Sequence, residues 1–225
     1  MCGRFAQSTS SKKLAKEFQV AEVPDMEPRY NIAPTQEILG VYESMNGREV
    51  TFYKWGLVPS WAKDTSIGSR LINARSETLT EKPAFRQAFK QRRCIIPADG
   101  FYEWQRTEGR KQPFFFQMCD ESPFGFAGLW ERWKGEGGQV INSCTILTTE
   151  ANEVLQPIHD RMPVILHPDD YELWLDMDMR KLDLAKELLR PFPASEMTAH
   201  PVSQSINSPS NQGAQLIERT AVNST

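Results

Sequence analysis

Alternating apolar and polar positions run through the middle of the chain and predict several short β-strands. EILGVYES and REVTFYKWG flank the tripeptide MNG, and the pair Asn46-Gly47 is a strong hairpin turn signal. RRCIIPADGFYEWQ predicts a strand, a turn and a second strand. KQPFFFQM, FGFAGLWERW and SCTILTT continue the β-rich series toward the C-terminal third.

Helical spacing is confined to short segments near the ends of this series. SSKKLAKEF places Leu14 and Phe18 four residues apart behind serines that can cap a helix. KPAFRQAFKQ, PDDYELWLD and LDLAKELL also have helical spacing. The proline-rich stretch PDMEPRYNIAPT predicts an extended loop. WGLVPSWAKDTSIGSRLINARSET predicts a long irregular loop, and loops of that length are usually functional.

The order of these elements predicts the fold class. Strands and helices do not alternate regularly, which argues against a doubly wound parallel sheet. The pattern favours a β-rich α+β fold with a curved, barrel-like antiparallel sheet flanked by a few helices. No shift in composition marks a boundary, so we expect a single domain over residues 1–217 and a frayed polar tail over 218–225.

Composition indicates the cellular compartment of the protein more than its function. No apolar run in the 225 residues approaches the ~18 needed to cross a bilayer, and no signal peptide is apparent. The four cysteines form no CxxC pair, which argues against a zinc ribbon and indicates a reducing cytoplasm. The formal net charge of −3 argues against an extended basic footprint. A local basic cleft stays open, because charges more than ~8 Å apart are largely screened at physiological salt.

The dipeptide at the start of the chain is unusual. If Met1 is removed, Cys2 carries both a free α-amine and a thiol, which are two nucleophiles on adjacent carbons. Alternatively, Cys2 is an ordinary small residue near a poorly ordered terminus.

Three further residues could act with such a nucleophile, and each also has a structural explanation. His159 lies in PIHDRMPVIL just before an apolar strand, and it is either a site residue or a histidine in a surface turn. Glu103 in ADGFYEWQ shares a strand face with Phe101, which suits a general acid, or else it points to solvent. Asn73 in RLINARSET could hold a polar group or fill a turn. We expect His167 to lie at the start of a helix and His200 to have a structural role.

Three arginines accompany these candidates, and three flat apolar residues complete the set. Guanidinium groups bind phosphates in a planar, bidentate manner. Tryptophan and proline offer surfaces on which bases can stack. Each of these residues could equally belong to the core or to the surface. The arginines are Arg4, Arg75 and Arg161, and the apolar residues are Pro34, Trp61 and Trp104.

A series of segments follows in order from residue 1 to about residue 217: MCGRFAQ, RYNIAPTQ, WGLVPSWAK, LINARSET, RRCIIPADGFYEW, KQPFFF, IHDRMPVIL, HPVS and NQGAQLI. In this combination the chain resembles the SOS response-associated peptidase (SRAP) family, whose members crosslink to abasic sites in single-stranded DNA. The chain departs from the family pattern at Ala62, where a second aromatic residue is expected after Trp61.

The resemblance implies roles for the candidates. Cys2 would be the N-terminal nucleophile after loss of Met1, Asn73 would hold that end in position, Glu103 would act as general acid and base, and His159 would assist proton transfer at the sugar. The arginines Arg4, Arg75 and Arg161 would contact phosphates. Pro34, Trp61 and Trp104 would line the path of the strand.

The expected product is a thiazolidine crosslink between Cys2 and the aldehyde of an abasic site in single-stranded DNA. Strand cleavage, crosslink reversal and self-cleavage of a leader peptide are possible side activities. We expect no cofactor, no metal, no membrane partner, a monomer, and a cytoplasmic protein that joins the nucleoid when bound to DNA. Two alternatives stay open, a thiol peptidase using Cys2 and His159 and a non-catalytic single-stranded-DNA-binding module. A metal site is the least favoured, because the Cys and His spacings fit no common pattern.

Overall fold

Strands dominate the computed structural model, which describes residues 2–107 and 110–221. The strands are β1 (Phe5–Gln7), β2 (Arg29–Ile32), β3 (Glu37–Ser44), β4 (Gly47–Trp55), β5 (Asn73–Arg75), β6 (Arg93–Ala98), β7 (Gly100–Thr107), β8 (Arg110–Met118), β9 (Phe124–Lys134), β10 (Val140–Glu150), β11 (Arg161–Pro163), β12 (Ile165–Leu166) and β13 (Met197–Pro201). The α-helices are α1 (Ser11–Glu17), α2 (Arg86–Gln91), α3 (Tyr171–Leu175) and α4 (Leu182–Glu187). The predicted β-rich α+β class is confirmed. Within the described ranges, no helix has the length and hydrophobicity of a bilayer-spanning segment.

The larger of two sheets closes on itself. Its strands run in the order β11-β10-β4-β3-β6-β9-β12, and β9 also pairs with β10, so that β10, β4, β3, β6 and β9 form a closed barrel. Most pairs are antiparallel, as the sequence predicts. The prediction is wrong for β10, which pairs in parallel with both β4 and β5. Parallel pairing requires a long crossover connection, and alternation within single strands does not reveal that.

The second sheet has five strands in the order β13-β8-β7-β1-β2. Its central strand, β7, pairs with β8 on one side and with the short N-terminal strand β1 on the other. Because β1 is tied to a central strand, residues 2–4 just before it are held in the body of the protein. The sheet therefore positions residues that precede β1.

Two local predictions rest on turn and cap chemistry, and both are confirmed. β3 and β4 form a hairpin in which Ser44 pairs with Gly47, and Gly47 has φ = 101°, a backbone region that glycine adopts without a steric penalty. Helix α1 begins after Ser10, whose side chain accepts a hydrogen bond from the Lys13 N–H at 3.4 Å. Leu14 on this helix is fully buried.

The apolar core has three parts. One lies under the helices and includes Leu14, Phe89 and Trp174. The second joins the two sheets and contains Cys2 with aromatic residues of both sheets. The third covers the opposite face of the five-stranded sheet and includes Tyr102. Since the second core is shared between the sheets, a residue buried in it is fixed relative to both.

Three segments differ from their predicted state. The proline-rich stretch contains β2, which extends the five-stranded sheet by pairing with β1. The long loop before α2 carries β5 and two short 3-10 helices, Ser66–Arg70 and Ser76–Thr78. In the predicted tail, the Thr220 N–H donates to the Pro201 carbonyl at 2.9 Å, so residues 218–221 are tied to β13. Residues 222–225 of that tail lie outside the described residues.

Candidate functional site

Cys2 lies beside Glu103 because of how β1 pairs with β7. The Tyr102 N–H extends that pairing by donating to the Arg4 carbonyl oxygen at 2.9 Å. Continued by one residue on each strand, that antiparallel register sets Gly3 opposite Glu103, so Cys2 is the neighbour of the residue that faces Glu103. The Glu103 carboxylate contributes to a raised pKa of the Cys2 thiol, as a nearby negative charge does.

The Cys2 side chain is 0% exposed and belongs to the core that joins the two sheets. Burial is the main cause that raises the pKa of its thiol, since a thiolate is poorly solvated there. The hydrogen-bond acceptor near its Sγ is the Arg4 carbonyl oxygen, at 4.0 Å. The thiol is consequently protonated at neutral pH.

Asn73 holds the backbone of Cys2. Its Nδ2 donates to the Cys2 carbonyl oxygen at 2.8 Å. Asn73 opens β5, which pairs in parallel with β10 through Ile146. Cys2 precedes a strand of the five-stranded sheet, whereas Asn73 belongs to the barrel sheet. The hydrogen bond therefore crosses the junction of the two sheets and places the candidate site there.

Glu103 points inward, as the alternation along β7 predicts. Phe101 lies in the core with Cys2, whereas Tyr102 and Trp104 pack on the opposite face of the sheet. Glu103 is 3% exposed. A carboxylate at this depth next to a thiol can exchange protons with groups bonded to Cys2.

His159 lies in the loop between β10 and β11, and that loop contacts β7. Gln105, which lies two residues after Glu103 on β7, donates through Nε2 to the Pro157 carbonyl oxygen at 3.3 Å. The loop is braced by Asn152, whose Oδ1 accepts from the Leu155 N–H at 3.1 Å. A cleft of about 450 Å³ opens beside His159. The structure thus brings the strand of Glu103 and the loop of His159 together.

Three atoms lie within hydrogen-bonding distance of the Nδ1 atom of His159. The Arg161 N–H donates to it at 2.9 Å, while the Arg161 carbonyl oxygen lies 3.2 Å away. Asp160 Oδ1 lies 3.0 Å away, on a side chain that is 87% exposed. The N–H requires Nδ1 to accept, whereas both oxygens require it to carry a proton.

The three arginines occupy different environments. Arg75 is exposed at the end of β5. Arg161 binds Glu77 through both Nη atoms, at 2.6 and 3.0 Å. Arg4 is half-buried on the other face of the five-stranded sheet, where its Nη1 donates to Asn31 Oδ1 at 2.6 Å. Their roles as phosphate contacts stay predictions.

The flat apolar residues also differ in exposure. Trp61 is 60% exposed, Pro34 is half-buried, and Trp104 is half-buried with its Nε1 donating to Asn207 Oδ1 at 2.8 Å. At Ala62, where an aromatic residue is expected, the carbonyl oxygen accepts from Trp133 Nε1 at 2.7 Å. Stacking by these residues stays a prediction.

The remaining histidines have the structural roles that the sequence indicates. His167 precedes the 3-10 helix Pro168–Asp170, and its ring accepts from the Asp169 N–H. His200 Nε2 lies 2.7 Å from the Ile217 carbonyl oxygen. Across residues 2–107 and 110–221, no group of three or more His, Cys, Asp or Glu residues could hold a metal ion.

Comparison with known proteins decides the family. The family model described as SOS response associated peptidase (SRAP) matches residues 1–209. The chain belongs to the SRAP family.

SRAP relatives match along nearly the whole chain. The Bacillus subtilis protein "Abasic site processing protein YoaM" is 42% identical over 222 residues, which cover 97% of this chain and 98% of that protein. The Escherichia coli protein "Abasic site processing protein YedK" is 34% identical over 227 residues, covering 97% and 99%. A crystal structure of a Bacteroides thetaiotaomicron protein superimposes with a TM-score of 0.87 at 26% identity, covering 98% of this chain and 100% of that one.

The candidate site also contains residues that the sequence alone did not single out. Gln105 and Asn152 fix the loop of His159, and Glu77 binds Arg161. Glu77 is part of the quoted segment LINARSET, and its spacing of four from Asn73 is the one signal that could have drawn attention to it. Gln105 carries no such signal, because its partner, the Pro157 carbonyl oxygen, is 52 residues away in sequence.

Proposed function

We propose that this protein processes abasic sites in single-stranded DNA by joining Cys2 covalently to the opened sugar. Two relatives that match nearly the whole chain are named abasic site processing proteins. The observation that carries the proposal is the pair of contacts at Cys2. Its carbonyl is held by Asn73, and its thiol lies near the buried Glu103 carboxylate.

The α-amine of Cys2 acts first. Loss of Met1 turns the Cys2 nitrogen from an amide into an amine with a pKa near ~7.7–8.0, so that far more of it is unprotonated at neutral pH than of a lysine with a pKa of ~10.4. An abasic deoxyribose opens to an aldehyde at C1′. The amine adds to C1′ to give a carbinolamine, which loses water and becomes a Schiff base.

The thiol then closes a ring. The Cys2 sulfur attacks the carbon of the protonated Schiff base, a C–S bond forms, and the thiol proton passes to a base while the nitrogen keeps its own proton. The product is a five-membered thiazolidine, and one water molecule is released overall. Because nitrogen and sulfur belong to one residue, the attack is intramolecular, and effective molarities of roughly 10⁵ M are reached in such reactions.

Glu103 moves the protons in this scheme. Its carboxylate takes a proton from the amine as the amine adds to C1′, and returns it to the carbinolamine hydroxyl, which leaves as water. The resulting carboxylate accepts the thiol proton as sulfur attacks, and this base is needed because burial keeps the Cys2 thiol protonated. His159 transfers a proton at the sugar during ring opening. Run in reverse, the same steps release the DNA.

The burial of Cys2 fits this chemistry. The C1′ atom bonds to the same nitrogen that is joined to Met1 in the unprocessed chain, so substrate takes the place of a residue that has been removed. A buried Schiff base is also shielded from hydrolysis by water, and its capture as a thiazolidine suppresses strand cleavage by β-elimination.

Single-stranded DNA suits the site because its abasic sugar is already unstacked, and the flipping cost of a few kcal/mol does not arise. Exposed Arg75 and Trp61 are available to a phosphate and a base. Arg4, Arg161, Pro34 and Trp104 complete the proposed contact surface.

A denaturing gel tests the proposal. Mature protein mixed with an oligonucleotide that carries one abasic site should give a slower band that survives heating. The band should disappear with Cys2→Ala, with an N-terminal tag left in place, and with methoxyamine-blocked DNA. Mass spectrometry of the mature protein should show loss of Met1.

Cys119→Ala is the matched control, because Cys119 is an exposed free cysteine far along the chain. It should crosslink like the wild type. A Cys2→Ala protein that still crosslinks would rule out the proposed bond. Peptide cleavage that tolerates an N-terminal tag would favour the thiol peptidase. DNA binding without a covalent product would favour a non-catalytic DNA-binding module.

A further inference from the structure

One short segment of the chain reaches both sides of the candidate site. Asn73 at its start binds the Cys2 carbonyl. Glu77, four residues later, binds Arg161, which begins β11 next to the loop of His159. The segment therefore connects Asn73, which holds the proposed nucleophile, with Arg161, which contacts His159.

Glu77 fixes the Arg161 side chain at two points. Arg161 Nη1 lies 2.6 Å from Glu77 Oε1, and Nη2 lies 3.0 Å from Oε2. Nη2 also donates to the Thr148 carbonyl oxygen at 2.7 Å. The Arg161 side chain is only 14% exposed, whereas that of Glu77 is 52% exposed. This two-point geometry fixes direction as well as distance.

The main chain of Arg161 in turn contacts the His159 ring. Its N–H donates to Nδ1 at 2.9 Å, which requires the proton of the neutral ring to be on Nε2. Asp160 Oδ1 at 3.0 Å and the Arg161 carbonyl oxygen at 3.2 Å from the same atom favour the other tautomer. The Arg161 N–H makes the shortest of the three contacts, so the tautomer depends on how firmly that N–H is held.

We propose that Glu77 is a positioning residue that acts through Arg161 to keep the proton of neutral His159 on Nε2. Glu77 anchors the guanidinium, the anchored side chain restrains the start of β11, and the Arg161 N–H stays on Nδ1. The catalytic consequence rests on the proposed function, because only there does His159 transfer a proton. The effect on the tautomer does not depend on it.

Nitrogen-15 NMR of histidine-labelled protein measures the tautomer without any DNA. The chain has three histidines, and the His159 signals are assigned by their loss in His159→Gln. Above the histidine pKa, wild-type His159 should show a protonated Nε2 and an unprotonated Nδ1 with well-separated shifts. In Glu77→Gln the two shifts should move toward each other as the tautomers mix. Unchanged His200 signals show that the variant is folded.

Glu81→Gln is the matched control, since Glu81 is an exposed carboxylate four residues farther on. It should leave the His159 shifts unchanged. Glu77→Gln should also lower the crosslinking rate at saturating DNA by roughly tenfold or more, as a misplaced tautomer does. Its affinity for undamaged single-stranded DNA should stay within about twofold of the wild type.

Two results would overturn the proposal. One is a Glu77→Gln protein whose His159 shifts match the wild type. The other is tighter binding of undamaged single strands with an unchanged tautomer, which would make Glu77 a competitor of phosphate for Arg161. If the wild type forms no crosslink, the proposed function fails, and the NMR comparison still decides the role of Glu77.

Discussion

The side-chain amide of Asn73 donates to the main-chain carbonyl of Cys2 at 2.8 Å, across the junction between the barrel and the five-stranded sheet. The bond leaves the Cys2 side chain and nitrogen uninvolved, so it fixes the residue without using either reactive group. Each sheet thus contributes one partner, and the geometry at Cys2 depends on how the two sheets pack.

Replacing Asn73 with Asp removes the donor while preserving the shape of the side chain. A carboxylate facing the Cys2 carbonyl repels it, so the nucleophile loses its orientation. We expect the crosslinking rate to fall by about 100-fold, as small misplacements at reacting atoms do. The free energy of unfolding should fall by only about 1–3 kcal/mol.

Asn142→Asp serves as the control for this change, because Asn142 is exposed on β10. Gel assays and urea unfolding of both variants separate an effect on the reaction from an effect on the fold. Equal crosslinking by Asn73→Asp and the wild type would contradict the positioning role of Asn73.

Glu103→Gln keeps the volume of the buried side chain and removes its ability to exchange a proton. The carbinolamine then loses water without an acid, and the thiol is deprotonated without a base. General acid–base catalysis contributes about 10²- to 10⁴-fold, so we expect the single-turnover crosslinking rate to fall by at least about 100-fold. Glu153→Gln, an exposed glutamate in the loop of His159, should match the wild type. A rate within tenfold of the wild type for Glu103→Gln would exclude it as the proton donor.

The parts of the fold that local chemistry controls could be predicted from the sequence. Asn46-Gly47 marks the β3–β4 hairpin, because few residues adopt the required backbone angles. Alternation along β7 separates Glu103 and Phe101 from Tyr102 and Trp104, and the structure confirms that division.

The remaining features depend on contacts between segments that are far apart in sequence. The parallel pairing of β10 with β4 and β5 is one example. Strand β2 is another, because its proline-rich surroundings hide a pairing with β1. The ion pair of Glu77 with Arg161 joins residues 84 positions apart. Neither residue type nor spacing reveals such a partner.

Arg75 should contribute to DNA affinity in a salt-dependent way, because it is exposed at the end of β5 beside the site. A cation that neutralises one phosphate of a single strand adds about 0.7 to the slope of log affinity against log salt. Arg75→Gln should therefore weaken binding of undamaged single strands at low salt and reduce that slope by about 0.7. Fluorescence anisotropy over a salt series measures both quantities.

Arg86→Gln is the control, because Arg86 lies on the exposed face of α2, and it should leave the slope unchanged. If Arg75→Gln also leaves the slope unchanged, Arg75 does not contact a phosphate.

Arg93 is a stability determinant that its strand pattern conceals. It is 1% exposed, and its guanidinium donates to carbonyl oxygens of Phe89 at 2.7 Å, of Trp174 at 2.6 Å, and of Asp176. Arg93→Met leaves these carbonyl groups at the ends of α2 and α3 without their donor. We expect the free energy of unfolding to fall by about 3 kcal/mol or more, measured by urea denaturation.

Arg86→Met provides the comparison for Arg93→Met, since Arg86 is exposed on the same helix that Arg93 caps. Its effect should stay within about 0.5 kcal/mol. An Arg93→Met protein as stable as the wild type would mean that water or a rearranged backbone satisfies the three carbonyl groups.

The buried thiols should make the protein less stable as pH rises above about 8.5. Burial raises the pKa of Cys2, Cys94 and Cys144. Below the unfolded pKa of ~8.5 both states keep the proton, so the contribution of each thiol is constant. Above it the unfolded chain loses the proton while the folded thiol keeps it, and each thiol lowers the free energy of unfolding by about 1.4 kcal/mol per pH unit. Urea titrations under reducing conditions between pH 7.5 and about 9.5 measure the slope, below the pKa of ~10 at which tyrosines of the unfolded chain ionise. Cys144→Ala should flatten the slope by about 1.4 kcal/mol per pH unit. An equal slope in Cys144→Ala would show that its thiol ionises as readily in the folded protein as in the unfolded chain.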